Sequence, residues 1–202
     1  MQEQSRDLFP LLYFGPFGYY YKLGKATSPC FCTSERFSKQ TLRNRCDLYG
    51  ANGKLTLSIP VNRPFGNKTR VDEVLLSSAT PWQAIHWKTI KSAYGRTPYF
   101  EHYGPKIEQL VLQEKTHLSD YLLTINKQII EWLELPLPQL TDTIPGIVQQ
   151  KELDHFIATG VYENSYGEYW QVFSEKLGFL PSLSILDILF HEGPQLLSRI
   201  HR

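Results

Sequence analysis

The densest group of polar and basic side chains lies in the run KQTLRNRC, which begins at Lys39. Guanidinium groups bind phosphate and carboxylate through two parallel, charge-assisted hydrogen bonds. If this run enters a β-strand, Arg43 and Arg45 lie on one face and Lys39 extends their row, so several donors could converge on one anion. The alternative is an edge strand whose solvated charges discourage pairing with another sheet. The predicted substrate-binding residues of this run are Lys39, Gln40, Arg43, Asn44 and Arg45.

His86 falls on the apolar face of a predicted helix, one turn after Trp82 and one turn before Ile90. The pKa of an unperturbed histidine is ~6.5, so a neutral imidazole can act as a general base near neutral pH. A histidine that only packs in the core is the alternative. Tyr94 follows on the same helix and is a further candidate for substrate binding, with a surface or rim position as its alternative.

Asp187 interrupts the apolar run LSILDILF, which predicts a helix buried on nearly all sides. A carboxylate in such a place costs several kcal/mol unless a cation or several donors meet it. A structural salt bridge and an active-site role both remain open for this residue. The candidate partners of Asp187 are His191, Arg43, Arg45 and His86.

Motifs of other chemistries do not occur in the sequence, which contains no G-x-S-x-G, P-loop, G-x-G-x-x-G or H-E-x-x-H pattern. The three cysteines, Cys30, Cys32 and Cys46, have neither C-x-x-C nor zinc-finger spacing. They are expected to be reduced thiols that pack as small apolar side chains. We therefore predict no metal site and no cofactor.

The composition is that of an ordinary globular protein, with 42% hydrophobic and 20% charged residues in a chain of 202. We expect a single domain over residues 1–202. The formal net charge of +1 argues against nucleic acid as a partner. However, residues 1–70 contain 11 basic and 4 acidic residues, against 10 and 16 in the remainder, which leaves room for a local anion pocket.

The longest charge-free apolar stretch, residues 8–21, is interrupted by proline and glycine. It is too short and too broken for a membrane span or a secretory leader. These features predict a soluble, cytoplasmic protein without a membrane span.

The first third of the chain has the pattern of strands and turns. Asn52-Gly53 between apolar alternations indicates a β-hairpin. The predicted strands cover residues 11–14, 19–23, 29–33, 44–49 and 55–61.

The middle and the C-terminal part have helical periodicity. Thr80 as N-cap and Gln83 three residues after it match a capping box, and Pro81 as first helical residue with Gly95 as exit predicts a helix over 81–94. Further helices are predicted from Pro105 to about 115, over 117–133 and over 183–190. We leave residues 139–170 unplaced, apart from a turn at 141–146 and an acidic, aromatic stretch at 161–170. The pattern predicts an α/β or α+β fold, with a mixed sheet from the N-terminal third packed against the helices. A parallel core that binds nucleotide at its strand ends is a further option.

Several segments in consistent order, from near the start to Pro194, resemble the WbqC-like family of bacterial proteins. They are LFP at 8–10, KQTLRNRC at 39–46, ANG at 51–53, LSIPV at 57–61, residues 82–94, PYFE at 98–101, FLPSLSILD at 179–187 and EGP at 192–194. The resemblance implies a link to O-antigen and other surface-polysaccharide loci, and a transferase role on a sugar or sugar-nucleotide pathway. Many members begin with a His-Gln-Pro-like motif, which here reads Leu8-Phe9-Pro10. Because that histidine is absent, His86 is the substitute base to test.

These observations predict a transferase in bacterial surface-polysaccharide biosynthesis of the O-antigen type. Its anionic donor, a sugar nucleotide or an acyl donor, would bind the basic N-terminal segment. His86 would be the base, and Asp187 would orient it or balance an arginine, which requires a cleft at which Arg43, His86 and Asp187 converge. The alternative is a non-catalytic binding or assembly protein whose Arg/Asp pairs are structural. The oligomeric state is left open.

Overall fold

Three small β-sheets carry the strands of the computed structural model, which describes residues 7–142 and 167–201. The first is parallel, in the order β1-β2-β7, and consists of β1 (Asp7–Pro10), β2 (Pro29–Cys32) and β7 (Gln139–Thr141). Phe31 at its centre lies opposite Phe9 on one side and Leu140 on the other. The other two are antiparallel pairs, β3 (Arg45–Gly50) with β4 (Gly53–Ser58) and β5 (Val61–Asn62) with β6 (Leu75–Leu76).

Seven α-helices are present among the described residues. They are α1 (Phe17–Lys25), α2 (Trp82–Tyr94), α3 (Phe100–Leu112), α4 (Leu118–Trp132), α5 (Ser174–Leu177), α6 (Ile185–Glu192) and α7 (Leu197–Ile200). Three 3-10 turns lie at Gly66–Lys68, Val71–Glu73 and Gly193–Leu196. The predicted α/β class is thereby confirmed, although the strands form separate sheets and β7 comes from outside the N-terminal third.

The predicted hairpin is confirmed, and the predicted helix forms but begins at Trp82, one residue later than expected. Gly53 has a φ of 107°, a value that favours glycine at the end of the β3–β4 turn. The expected capping box at the start of α2 is wrong, because Pro81 occupies the N-cap position and no side chain caps the helix. Gly95 follows the last helical residue, as predicted.

Two predicted strands near the start of the chain are wrong. The strand lies at residues 7–10 instead of 11–14, and the aromatic segment at 19–23 belongs to helix α1. Three consecutive tyrosines favour a strand by local propensity. Tertiary packing decides otherwise, because α1 buries Phe17, Tyr19 and Leu23, and the Tyr19 hydroxyl donates to the Pro10 carbonyl at 2.8 Å.

Helix α3 begins at Phe100 and contains Pro105, which was predicted to start it. Most of the predicted turn at 141–146 and of the aromatic stretch at 161–170 lies outside the described residues. The parallel sheet packs with the helices in one buried cluster that includes Phe31, Ile90, Leu122 and Phe190. Cys30, Cys32 and Cys46 are buried free thiols, as expected.

Within residues 7–142 and 167–201, no helix combines the length and the apolar character that crossing a bilayer requires.

Candidate functional site

An open cavity of about 290 Å³ lies at the carboxyl ends of the three parallel strands. Leu11 follows β1, Thr33 follows β2, Thr141 is the last residue of β7, and Asp142 follows it. Parallel strands end at the same sheet edge, so residues distant in sequence meet there. The remaining lining residues are Leu140 of β7, Asp72 of a 3-10 turn, and Ser119, Asp120 and Leu123 of the first turns of α4.

Backbone hydrogen bonds hold the walls of this cavity together. The Asp72 N–H donates to the Thr33 carbonyl at 3.1 Å, and the Leu118 N–H donates to the Val74 carbonyl at 2.9 Å. The Ser34 hydroxyl donates to the Asp142 carbonyl at 3.1 Å. The strand ends, the 3-10 turn and the start of α4 are therefore linked into one frame.

The cavity lining combines hydroxyl groups with carboxylates. Ser119 is 9% exposed, and its hydroxyl makes no hydrogen bond within the described part of the chain. Asp72 forms hydrogen bonds with the Arg70 guanidinium, one of them from Nε at 3.0 Å. Asp120 and Asp142 are exposed at the cavity. Carboxylates accept hydrogen bonds from hydroxyl or ammonium groups, and a serine hydroxyl can also donate one.

A buried ion pair braces the segment that follows β2. The Arg43 Nε donates to the Glu35 Oε1 at 2.9 Å, and Arg43 Nη2 lies 2.6 Å from Oε2, with both side chains 0% exposed. The Val71 N–H donates to the Glu35 carbonyl at 3.0 Å, which ties this pair to the 3-10 turn beside the cavity. Arg43 is thus paired with Glu35, a residue that was not among the expected partners of the arginines.

The predicted row of donors on one strand does not form. Strand β3 begins at Arg45, and Lys39 and Gln40 are exposed in the preceding irregular segment, where Gln40 has a φ of 60°. Asn44 is buried and donates from Nδ2 to the Ile59 carbonyl at 3.1 Å. Arg45 is half-buried, and its Nε has no hydrogen-bond partner in the described part of the chain. Only Lys39 and Gln40 of this set are fully accessible to a ligand.

His86 is buried among aromatic rings in the core. Its Nδ1 lies 2.9 Å from the Tyr13 hydroxyl, and its ring centroid is 5.1 Å from that of Trp82. Burial lowers the pKa of His86 to about 4, while a hydrogen bond with the Ser58 backbone acts in the opposite direction. The imidazole is therefore neutral at physiological pH.

Asp187 is fully buried and accepts hydrogen bonds from uncharged groups. Its Oδ2 accepts from the Tyr169 hydroxyl at 2.6 Å and from Gln171 Nε2 at 2.8 Å. Burial raises the pKa of Asp187, and His191, Tyr169, Gln171 and Tyr94 act in the opposite direction. Within the described residues no lysine or arginine pairs with this carboxylate. The sequence pattern did not indicate Tyr169 or Gln171, which lie in or beside the unplaced stretch.

His191 contacts Asp187 mainly through the backbone. Its Nε2 accepts a hydrogen bond from the Val172 N–H at 3.0 Å, so the ring proton resides on Nδ1. Nδ1 then donates to the Asp187 carbonyl at 2.6 Å and lies 3.9 Å from Oδ1 of the carboxylate. His191 therefore joins the Val172 backbone to the Asp187 backbone through its two ring nitrogens.

Tyr94 is fully buried, and the expected rim position is wrong. Its hydroxyl accepts from the Tyr49 N–H at 3.0 Å and interacts with Asp187, so it joins α2, β3 and α6. Burial raises the pKa of Tyr94 well above its ordinary value.

The three residues predicted to converge have separate sets of contacts. Asp187 contacts Tyr94, which follows His86 by two helical turns, or about 12 Å along the axis of α2. Arg43 pairs with Glu35 near the sheet edge. The catalytic roles of His86 and Asp187 stay predictions.

Comparison with known proteins identifies a family whose sequence model matches this chain. The sequence model of a family described as the WbqC-like protein family matches residues 12–160. A protein of Mycobacterium tuberculosis (strain ATCC 25618 / H37Rv), described as "Uncharacterized protein Rv1507c", is 21% identical over 192 residues, which cover 79% of this chain and 81% of the relative. No solved structure is significantly similar to the chain.

Proposed function

Because this chain belongs to the WbqC-like protein family, we propose that it is a transferase acting in the biosynthesis of bacterial surface polysaccharide of the O-antigen type. Its donor is an anionic sugar nucleotide or acyl donor. The observation that carries the proposal is the cavity at the carboxyl ends of β1, β2 and β7. Open α/β sheets bind their ligands at this edge, because the loops there converge while the strands hold them rigidly.

The lining of the cavity suits a sugar. Its carboxylates can accept hydrogen bonds from sugar hydroxyls, and the hydroxyls of Thr33 and Ser119 can donate to sugar oxygens. Leu11 and Leu123 offer apolar surface for the C–H face of a pyranose ring. A polar ligand with an apolar face matches this combination better than a purely apolar one.

The anionic part of the donor is proposed to contact Lys39 and Gln40. These residues are exposed on the segment that runs from Thr33 at the cavity wall to β3. The Tyr13 N–H donates to the Leu42 carbonyl at 3.0 Å, which holds this segment against the end of β1. In this proposal the buried Arg43 positions the segment instead of binding the donor. The same positioning role is proposed for the buried or half-buried residues Asn44, Arg45 and Tyr94.

A transferase must also remove a proton from its acceptor. His86 is kept as a proposed base and Asp187 as the residue proposed to orient it, although neither is among the lining residues of the cavity. The carboxylates of Asp120 and Asp142 are more accessible candidates for the same task, because both are exposed at the cavity. Comparing His86→Gln, Asp187→Asn, Asp120→Asn and Asp142→Asn in a turnover assay identifies the base.

The test of the proposed function is a titration of the purified protein with a panel of nucleotide sugars and acyl donors. Binding is measured by calorimetry and by the shift in melting temperature. We expect at least one donor to bind, and Lys39→Ala to weaken it roughly 10-fold, the effect of one charge-assisted hydrogen bond. Lys91→Ala, an exposed change on α2, is the matched control and leaves the affinity unchanged.

A non-catalytic binding or assembly protein is the second candidate. It is favoured by one observation, namely that the Arg43–Glu35 pair is fully buried and acts as a structural brace. Failure of every anionic small molecule in the titration to bind would support this candidate over the transferase.

A further inference from the structure

We propose that the outer edge of strand β4 joins two copies of this chain into a symmetric dimer, in which β4 of one copy pairs antiparallel with β4 of the other. The two-fold axis passes through Leu55. This inference goes beyond the proposed function and does not depend on it. It is carried by the open edge of β4, by an exposed leucine at the centre of that edge, and by charges that allow the strand to pair with itself.

Strand β4 is hydrogen-bonded to β3 on one edge, and its other edge faces solvent. The odd-numbered residues of β4 bond to β3, and this ladder continues where the Ile59 N–H donates to the Asn44 carbonyl at 2.8 Å. Backbone groups of a strand alternate in direction, so those of Lys54 and Thr56 point away from β3. Both residues are exposed, and neither makes a backbone hydrogen bond to another described residue.

The open part of the edge selects one register. A hydrogen bond between His86 and the Ser58 backbone places helix α2 at the far end of the outer edge. Lys54 and Thr56 are therefore the two residues left to pair. A second β4 strand uses both of them only if Lys54 of each copy lies opposite Thr56 of the other, which places Leu55 opposite itself. Each such pair exchanges hydrogen bonds in both directions.

Leu55 is the apolar side chain that this register covers. It is 44% exposed, although Leu48, directly opposite on β3, is fully buried. Leu55 lies at the margin of the core-facing side of the hairpin, because no third strand pairs with β3 or β4 among the described residues. In the dimer, the two Leu55 side chains meet at a position without backbone hydrogen bonds, where side chains approach most closely. This contact removes apolar surface from water.

The charges beside the edge allow β4 to pair with itself. The Asp47 carboxylate accepts hydrogen bonds from the Thr56 hydroxyl at 2.6 Å and from the Lys54 ammonium at 3.1 Å. Lysine on an edge strand often discourages pairing, because like charges directly opposite each other repel. In this register no lysine faces a lysine. Each Lys54 instead lies beside a threonine that contacts the Asp47 of the other copy.

A second copy matches the edge better than an unrelated extended peptide. Strand addition by a peptide uses only the main chain and requires suitable side chains from outside. A second β4 supplies the same two outward-facing residues, a leucine at the meeting point and a carboxylate beside each lysine. Because the paired segment is short, we expect a dimer that depends on protein concentration.

Disulfide trapping in the full chain tests the register. Cα atoms at position 55 of the two copies would be about 4.5 Å apart, within the range of a disulfide. We expect Leu55→Cys to form a covalent dimer under mild oxidation ~10-fold faster than Leu112→Cys, because pairing raises the effective concentration of the thiols. Leu112 is the matched control, a leucine of α3 that is 42% exposed. Ser58→Cys is the register control, because its two copies would lie roughly 20 Å apart.

Sedimentation over a range of protein concentrations tests the hydrogen bonds without added cysteine. Thr56→Val and Thr56→Pro both remove the hydroxyl that contacts Asp47, but only the proline removes the outward N–H. Strand β3 does not use this N–H, so an edge proline is compatible with the hairpin. We expect Thr56→Val to dimerise and Thr56→Pro to weaken the dimer ~10-fold. Leu55→Asp, which sets two carboxylates opposite each other, is a second disrupting variant.

Equal cross-linking of Leu55→Cys and Leu112→Cys overturns the inference. A dimer that survives both Thr56→Pro and Leu55→Asp does so as well, and faster cross-linking of Ser58→Cys than of Leu55→Cys overturns the register. A chain that stays monomeric and does not cross-link also overturns it and leaves the edge to an extended peptide of another protein. Each result is independent of donor binding at Lys39, so the proposed function is tested separately.

Discussion

Removing one charge from the buried Arg43–Glu35 pair is expected to destabilise the protein strongly. Both side chains are 0% exposed, with Nε–Oε1 and Nη2–Oε2 distances of 2.9 and 2.6 Å. Breaking a buried pair costs about 3–5 kcal/mol, because the remaining charge stays buried without compensation. Two hydrogen bonds to charged groups give a similar sum, at about 1.5–3 kcal/mol each. We therefore expect Arg43→Met to lower the free energy of unfolding by about 3–5 kcal/mol.

The assay is urea denaturation of the whole chain at pH 7, followed by tryptophan fluorescence. Arg43→Met, Glu35→Leu and the double variant form a cycle in which the double change costs less than the sum of the single changes, because it leaves no charge buried alone. The exposed Lys54–Asp47 pair, 3.1 Å apart, is the control, and Lys54→Met is expected to cost less than about 1 kcal/mol. An Arg43→Met cost below about 1 kcal/mol, or strict additivity in the cycle, would refute the reasoning. If Arg43→Met does not fold, folding of the double variant still supports it.

Three further predictions concern pH dependence and backbone conformation. The pKa of His86 falls from 6.5 to about 4 on folding, so the unfolded state binds the proton more readily than the folded state. About 3 kcal/mol of the free energy of unfolding is therefore lost as pH falls from 6.5 through 4. His86→Gln should reduce this loss in unfolding experiments at pH 4–7. Burial raises the pKa of Asp187. Its contribution to the free energy of unfolding is therefore full below pH 3.8 and decreases as pH rises through the folded pKa. Asp187→Asn should remove that decrease, and an unchanged dependence of stability on pH would contradict the raised pKa. Gly193 has a φ of 54°, and a Cβ added there would lie 2.5 Å from the Tyr99 ring. Gly178 also has a positive φ, 80°, but a Cβ added there would meet open space. Gly193→Ala should therefore lower the melting temperature clearly more than Gly178→Ala, and equal shifts would argue against the contact with Tyr99.

Local signals predicted the regular elements best. Apolar periodicity with a terminal glycine located α2 to within one residue, and Asn52-Gly53 located the β3–β4 hairpin. These signals succeed because the residues that form such elements are neighbours along the chain. The aromatic segment at 19–23 failed for the opposite reason, since distant packing made it part of a helix.

The parallel sheet was only partly visible from the sequence. Strand β2 was predicted, but β7 has three residues and no alternation long enough to indicate a strand. Its pairing with β2 joins residues more than 100 positions apart. The cavity at the strand ends depends on this pairing, which is why its lining residues were not among the predicted site residues.

By itself, the sequence determined the α/β class, the family, the division of charge between the N-terminal third and the remainder, and the requirement that Asp187 have polar partners. Only the tertiary structure decided which partners were used: Glu35 for Arg43, Tyr169 and Gln171 for Asp187, and Tyr13 for His86. The physical reason is that the cost of burying a charge follows from composition and periodicity, which are local. The group that offsets this cost is chosen by where the packed elements bring donors and acceptors within about 3 Å, which no local pattern specifies.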